Sequence, residues 1–140
     1  MNVLCFAYGA NLDRVAMKDR CPEASPLGRA VLPDHRLAAM KEGWLTIEPA
    51  PGEEVEGLVW SLTERDLDAL DRYEEVDQGL YRHERRLVVG DVAGPREVLV
   101  YVGANHGPGR LRAEYARRVA RAARRELGPG AARRVDGLSE

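Results

Sequence analysis

The sequence predicts an α+β fold in which strands and helices share one core across residues 1–140. Runs rich in β-branched and aromatic residues gather between Gly28 and Leu62 and again between Tyr81 and Val102. Segments of helical period lie around them, near Val15–Met17, Leu67–Leu70 and Leu111–Leu127. No internal repeat, low-complexity tract or Pro/Gly/Ser-rich linker separates the two kinds of segment. With 140 residues, 44% of them hydrophobic, the chain holds enough apolar material for a single core.

Asn2–Tyr8 reads as a buried strand. It ends in Gly9-Ala10-Asn11, where Gly9 or Asn11 can accept backbone angles that other residues avoid. Asp13 is placed to cap a short helix through Val15, Ala16 and Met17. That helix must stop before Pro22, which lacks an amide donor and restricts its predecessor. Three or four short strands are expected next, around Arg29–Val31, His35–Ala39, Leu45–Ile47 and Val55–Leu62, separated by Pro and Gly. Both faces of the last are apolar, which predicts a central position.

Thr63 with Asp66 three residues on resembles a capping box, with Asp in place of the usual Glu or Gln. It opens a helix with Leu67 and Leu70 facing inward and an end near Tyr73. After a loop over Glu74–Leu80, Tyr81–Val89 and Glu97–Val102 read as an antiparallel pair joined across Gly90–Pro95, and Gly103–Gly109 reads as a loop. The last strong element expected is a helix from about Leu111 to Leu127. Leu111, Tyr115, Val119 and Ala122 or Ala123 form its apolar stripe, and Gly128 with Pro129 ends it.

Composition excludes several classes of function. Val3–Tyr8, the longest apolar stretch near the start, is too short to span a membrane and follows no basic region, so a cytoplasmic protein with no leader is expected. Cys5 and Cys21 have neither metal nor redox spacing and read as free thiols. From Arg110 onward nine arginines face Glu114, Glu126, Asp136 and Glu140. This local +5 leaves −7 elsewhere in a chain of net charge −2. The arginines recur at helical spacing beside apolar positions, which predicts a solvated helix face and not a nucleic-acid surface. His35, His83 and His106 are too far apart to suggest a metal site, and there is no Gly-x-Ser-x-Gly elbow for an acyl-enzyme. His106 reads as a surface-loop residue.

Two segments can carry chemistry. A strand running into Tyr8-Gly9-Ala10-Asn11-Leu12 and then a helix places backbone N–H groups where they can hold a carboxylate or oxyanion. The same pentapeptide also reads as a tight turn that binds nothing. It is no phosphate-binding Walker loop, because neither lysine nor a hydroxyl residue lies in the turn. The second segment, Glu74-Glu75-Val76-Asp77-Gln78-Gly79-Leu80-Tyr81, is a carboxylate-rich loop between a helix and a strand. Taken alone, it equally describes a solvated acidic loop.

Together these segments resemble the gamma-glutamylcyclotransferase-like (AIG2-like) family. Its members carry a Phe-Ala-Tyr-Gly-Ser-Asn-Leu type segment, here Phe6–Leu12, and a Glu-Gly-Val-x-x-Gly-x-Tyr type loop, here Glu74–Tyr81. The likeness continues through Gly43-Trp44 to Pro49 and Val55-Glu56-Gly57, up to Tyr101. It implies a small mixed β-barrel flanked by helices, with a small γ-glutamyl substrate between the glycine loop and Glu74 and with no metal or organic cofactor. The implied enzyme is of acyltransferase or lyase type. The substrate's own α-amine attacks its γ-carbonyl and releases 5-oxoproline, with Glu74 as acid and base.

The resemblance further implies substrate-binding roles for Tyr8, Gly9, Ala10, Asn11 and Leu12, and aromatic hydroxyls near the cavity at Tyr81 and Tyr115. The Tyr115 match rests on Arg-Ala-Glu-Tyr in the last helix, where an aromatic residue on an apolar stripe also reads as core. Trp44 and Trp60 read as core or rim. A free glutamate, with a pKa of about 4.3, is a weak base at neutral pH, so burial or a neighbouring carboxylate such as Glu75 is expected to raise that of Glu74.

Two residues depart from the family pattern. Ala10 replaces serine, removing a hydroxyl but keeping the backbone amides. Glu75 replaces glycine, where a Cβ is strained at positive φ and an added charge can alter substrate choice. These departures leave open a binding module without catalysis on the same fold. The sequence leaves the amine on the γ-glutamyl group and the oligomeric state undetermined.

Overall fold

The computed structural model describes residues 2–90 and 95–140. Its strands are β1 (Val3–Ala7), β2 (Ser25–Ala39), β3 (Leu45–Leu62), β4 (Tyr81–Gly90) and β5 (Arg96–Gly103), and they close into a barrel in the order β1-β3-β2-β4-β5. Every neighbouring pair is antiparallel except β1 and β5, which meet in parallel at Cys5 and Leu99 and close the ring. The helices are α1 (Arg14–Arg20), α2 (Glu64–Tyr73), α3 (Ala113–Leu127) and α4 (Pro129–Asp136). Two 3-10 turns, Ala10–Leu12 and Val76–Gln78, follow β1 and α2.

Period-two alternation places the core on both faces of β1 and β3. Phe6 and Tyr8 of the first segment join Leu45, Ile47, Val55 and Val59 in one cluster, while Cys5 and Ala7 join Leu58, Trp60 and Leu62 in the other. Met17 of α1 and Leu70 of α2 complete the second cluster. Helix α3 serves both, with Ala116 and Val119 in the first and Ala122 and Ala123 in the second. As expected for a central strand, β3 lies between β1 and β2. Gly57 permits the close approach of β1, because a Cβ there would lie 2.5 Å from the Ala7 carbonyl oxygen and clash with Phe6 Cζ and Cε1.

Both N-caps form as the sequence predicts, but without the return bond of a capping box: among the described residues Asp66 Oδ2 is buried with no partner. Asp13 Oδ1 accepts from the amides of Val15 at 3.0 Å and Ala16 at 3.2 Å, and Thr63 Oγ1 accepts from the Asp66 amide at 3.1 Å. Both cysteines are buried free thiols. Among the described residues no helix is long and apolar enough to cross a membrane.

Three expectations need correction. The short strands expected between Gly28 and Leu62 are two long ones, β2 of 15 residues and β3 of 18. Their Pro and Gly residues are absorbed as irregularities, with register shifts at Pro26/Gly28 and Pro33/His35. At the second shift Asp34 takes φ 60, and its Oδ1 accepts the Gly52 amide at 3.0 Å. Next, α3 starts at Ala113 instead of Leu111, which is buried ahead of the helix. Finally, Gly128 and Pro129 do end α3 but also start α4. Gly128, at φ 107, donates its amide to the Ala123 and Arg124 carbonyls, and Pro129 takes the first helical position, where a missing amide costs nothing. Residues 91–94 of the expected β4–β5 join lie outside the described residues.

Candidate active site

A cavity of about 280 Å³ opens where β1 runs into the first 3-10 turn. In that turn the Leu12 amide donates to the Gly9 carbonyl at 2.9 Å and the Asp13 amide to Ala10 at 3.3 Å. The amides of Ala10 and Asn11 precede these bonds, so the turn itself offers them no acceptor. Tyr8, Gly9, Ala10 and Asn11 all line the cavity. The buried Trp60 indole N–H donates to the Asn11 carbonyl at 3.2 Å and so anchors the turn to the barrel. Gly9 lets other groups approach closely, since a Cβ there would meet Leu45 Cδ2 at 3.3 Å and the Tyr115 hydroxyl at 3.5 Å.

Glu74 terminates α2, and its amide donates to Leu70 at 2.9 Å. Its carboxylate Oε1 accepts from Asn11 Nδ2 at 3.2 Å, which links the acidic loop to the glycine turn through a side chain. Asn11 Oδ1 in turn accepts from Arg20 Nη1 at 2.7 Å. Arg20 Nη2 donates to the Tyr73 hydroxyl at 2.8 Å, and the guanidinium lies 3.7 Å from the Tyr73 ring centroid.

Although Glu74 keeps some surface along the cavity, the protein around its carboxyl desolvates it. This burial pushes its pKa up to about 7, against the opposing pull of Arg20 and of the Asn11 hydrogen bond. The neighbouring carboxylate that adds to the rise is Asp71, one helical turn back, and not Glu75. Glu75 sits at φ 52, the left-handed conformation that a glycine would hold without strain.

Besides Tyr73, four tyrosines build the walls. The Tyr8 hydroxyl donates to the Tyr101 carbonyl at 2.5 Å and the Tyr81 hydroxyl to the Leu45 carbonyl at 2.6 Å, while the Tyr115 hydroxyl accepts from the Leu45 amide at 3.3 Å. Tyr101 donates to Asp71 Oδ1 at 2.5 Å, and His83 Nδ1 lies 3.1 Å from the same oxygen. Burial raises the pKa of all four phenols, so they stay protonated at neutral pH and serve as hydrogen-bonding groups, not bases.

Of the residues expected at the site, Tyr8, Gly9, Ala10, Asn11, Glu74, Tyr81 and Tyr115 meet at this one cavity. Leu12 does not line it, because its amide is committed within the turn and its side chain is fully buried in the core. Trp44 forms part of the cavity wall, edge-to-face with Tyr115 at 5.1 Å, whereas Trp60 is core. Sequence reasoning missed Arg20, Tyr101, Asp71 and Arg118. None belongs to a motif, and only the three-residue spacing of Tyr115 and Arg118 on one helix face hints that Arg118 reaches the cavity.

The closed small barrel thus sets a carboxylate of raised pKa beside a glycine turn at one cavity. A family model described as gamma-glutamyl cyclotransferase, AIG2-like, matches residues 5–122, and the chain belongs to that family. The gamma-glutamylcyclotransferase of Bos taurus is 36% identical over 88 residues, covering 56% of this chain and 47% of that protein. Its Homo sapiens counterpart is 35% identical over 88 residues with the same coverage. The chain thus spans about half the length of these curated relatives. A solved structure named gamma-glutamyl cyclotransferase superposes with a TM-score of 0.89 at 24% identity, covering 99% of this chain and 88% of that one. The crystal structure of an uncharacterized Homo sapiens protein superposes at 0.87 with 25% identity, covering 98% and 88%. The likeness to the first of these structures speaks for the fold alone.

Proposed function

We propose that the protein is a cofactor-free cyclotransferase that releases 5-oxoproline from a γ-glutamyl amine or peptide, with Glu74 as the acid–base group. One observation carries this reading: the Glu74 carboxyl, with its pKa raised to about 7, lines the same cavity as the glycine turn and is held by Asn11 of that turn. A group with this pKa is half ionised near neutral pH, so it can take a proton and return it.

The substrate arrives with its α-amine as an ammonium. Glu74 removes one proton, and the free amine attacks the γ-carbonyl carbon and forms the new ring C–N bond. The carbonyl oxygen becomes an oxyanion as the tetrahedral centre forms, and the Ala10 and Asn11 amides are the donors proposed to face either this oxygen or the substrate α-carboxylate. When the centre collapses, the original C–N bond breaks and Glu74 returns its proton to the departing nitrogen. The ring nitrogen gives up a second proton, and the amine leaves as an ammonium. The attack is intramolecular, so folding the glutamyl arm against Tyr8, Tyr81 and Tyr115 supplies much of the acceleration, and no enzyme nucleophile is needed.

The departures from the family pattern are compatible with this chemistry. Ala10 still presents its backbone amide, and Glu75 holds the left-handed turn despite its Cβ. The test is 5-oxoproline release, followed by mass spectrometry, from a panel of γ-glutamyl amines and peptides. Wild type should release it, and Glu74→Gln should be slower by roughly a hundredfold or more. Binding of a panel member without release by the wild type would overturn catalysis and leave a binding module on this fold.

A further inference from the structure

The turn between β2 and β3 brings Trp44 into the cavity wall. Its backbone is closed by two bonds, from the Met40 amide to the Trp44 carbonyl at 2.8 Å and from the Gly43 amide to the Met40 carbonyl at 2.9 Å. Neither bond fixes the indole ring, and the residue is only half-buried.

The ring is gripped by the start of α3. Arg112 and Tyr115 stand three residues apart there, on one face of the first turn. The Tyr115 ring meets Trp44 edge-on, with 5.1 Å between centroids and 74° between planes, and the Arg112 guanidinium lies 4.3 Å from the Trp44 ring centroid. Arg112 Nε also donates to the Glu42 carbonyl at 2.9 Å, and the Arg112 amide to the Gly43 carbonyl at 3.2 Å. The arginine stem passes so close to Gly43, which sits at φ 92, that a Cβ there would lie 2.8 Å from Arg112 Cγ.

Arginine is an uncommon choice for this place. Arg112 is the N-cap of α3, a position that favours Ser, Thr, Asp or Asn because their oxygens accept a helix amide. It makes no such bond, so α3 starts without a side-chain cap and the guanidinium is turned back onto the hairpin.

We propose that Arg112 is a positioning residue: from outside the cavity it holds the Trp44 ring against Tyr115 and so keeps the wall in place around the substrate. The role rests on the cyclotransferase reading of the cavity. Arg112 is not among the residues that line it, so it acts through Trp44. An aromatic wall meets substrate and transition state alike, and loosening it should raise KM and leave kcat.

Protein labelled with fluorotryptophan gives one fluorine NMR resonance for each of its two tryptophans, and Trp44→Leu assigns them. Trp60, whose indole bonds the Asn11 carbonyl, reports that the barrel and the glycine turn are intact. In Arg112→Gln the Trp44 resonance should move and become more sensitive to exchange of water for heavy water, while that of Trp60 stays. KM for 5-oxoproline release from the γ-glutamyl compound that the wild type turns over fastest should rise about fivefold at unchanged kcat, the size of one cation–π contact at a partly exposed site. Arg112→Lys keeps the cation but loses the planar stack, and its KM should fall between the two. In a Trp44→Leu background Arg112→Gln should change KM no further. An unmoved Trp44 resonance, an unchanged KM, or the same loss with and without Trp44 overturns the proposal. If the wild type turns over no γ-glutamyl compound, the cyclotransferase reading fails, and the fluorine spectra alone decide whether Arg112 holds the wall.

Discussion

Glu74→Gln should make the protein more stable at neutral and alkaline pH, by an amount that vanishes in acid. Burial raises the Glu74 pKa from 4.5 to about 7 in the folded state. Between those values the folded protein keeps a proton that the unfolded chain has released, so stability falls as pH rises through this window. Below about pH 4.5 both states are protonated and there is no penalty. Above about pH 7 both are ionised, and the whole cost of holding a carboxylate in the cavity is expressed. A shift of that size, at about 1.4 kcal/mol per unit, amounts to about 3 kcal/mol. Glutamine stays neutral at every pH and keeps an oxygen to accept the Asn11 amide bond, so it removes this penalty without breaking the contact. Urea unfolding of both proteins from pH 4 to 8.5 measures the difference directly. The curves should meet near pH 4.5 and separate to about 3 kcal/mol in favour of the variant above neutrality. A difference independent of pH, or a variant less stable than wild type at pH 8, would refute a raised Glu74 pKa.

Other substitutions bear on the same cavity. Arg20→Gln and Asn11→Ala each remove an interaction that lowers the Glu74 pKa, so the acid limb of kcat for 5-oxoproline release should move to higher pH. Asp71→Asn, which removes a raising charge, should move it lower, and carbon-13 NMR titration of the Glu74 carboxyl reads the same shifts without turnover. Glu75→Gly should relieve the left-handed strain at φ 52 while keeping the backbone bonds that Glu75 makes to Arg72, Gln78 and Leu80. A gain of about 1 kcal/mol, seen as a melting temperature higher by about 2–4 °C, is expected, and an unchanged or lower value counts against the strain.

Local signals were legible where short-range chemistry decides structure. Asp13 and Thr63 marked their helix starts because capping needs only residues two or three positions away. The apolar period of α3 placed Tyr115 and Val119 on one stripe, but periodicity alone could not tell a tyrosine packed in the core from one lining a cavity. Proline misled between Gly28 and Leu62, where its local effect is to break regular structure yet the pairing of β2 with β3 absorbs it as a bulge; Pro129 does follow the end of α3, as expected, and the first turn of α4 accepts it at no cost. The strain at Glu75 was readable from a glycine pattern, whereas the link from Arg20 through Asn11 to Glu74 was not. Its partners lie 9 and 63 residues apart and belong to no shared motif.

The sequence by itself determined the α+β composition, the N-caps of α1 and α2, the glycine turn and the identity of the acid–base candidate. These follow from propensity, period and motif, which are properties of neighbouring residues. Only the tertiary structure decided that β1 and β5 close the barrel in parallel, that Asp71 and not Glu75 helps raise the Glu74 pKa, and that Arg118 lines the cavity. The physical reason is that desolvation and through-space charge depend on which distant segments the closed barrel brings together. No local pattern in the chain records those distances.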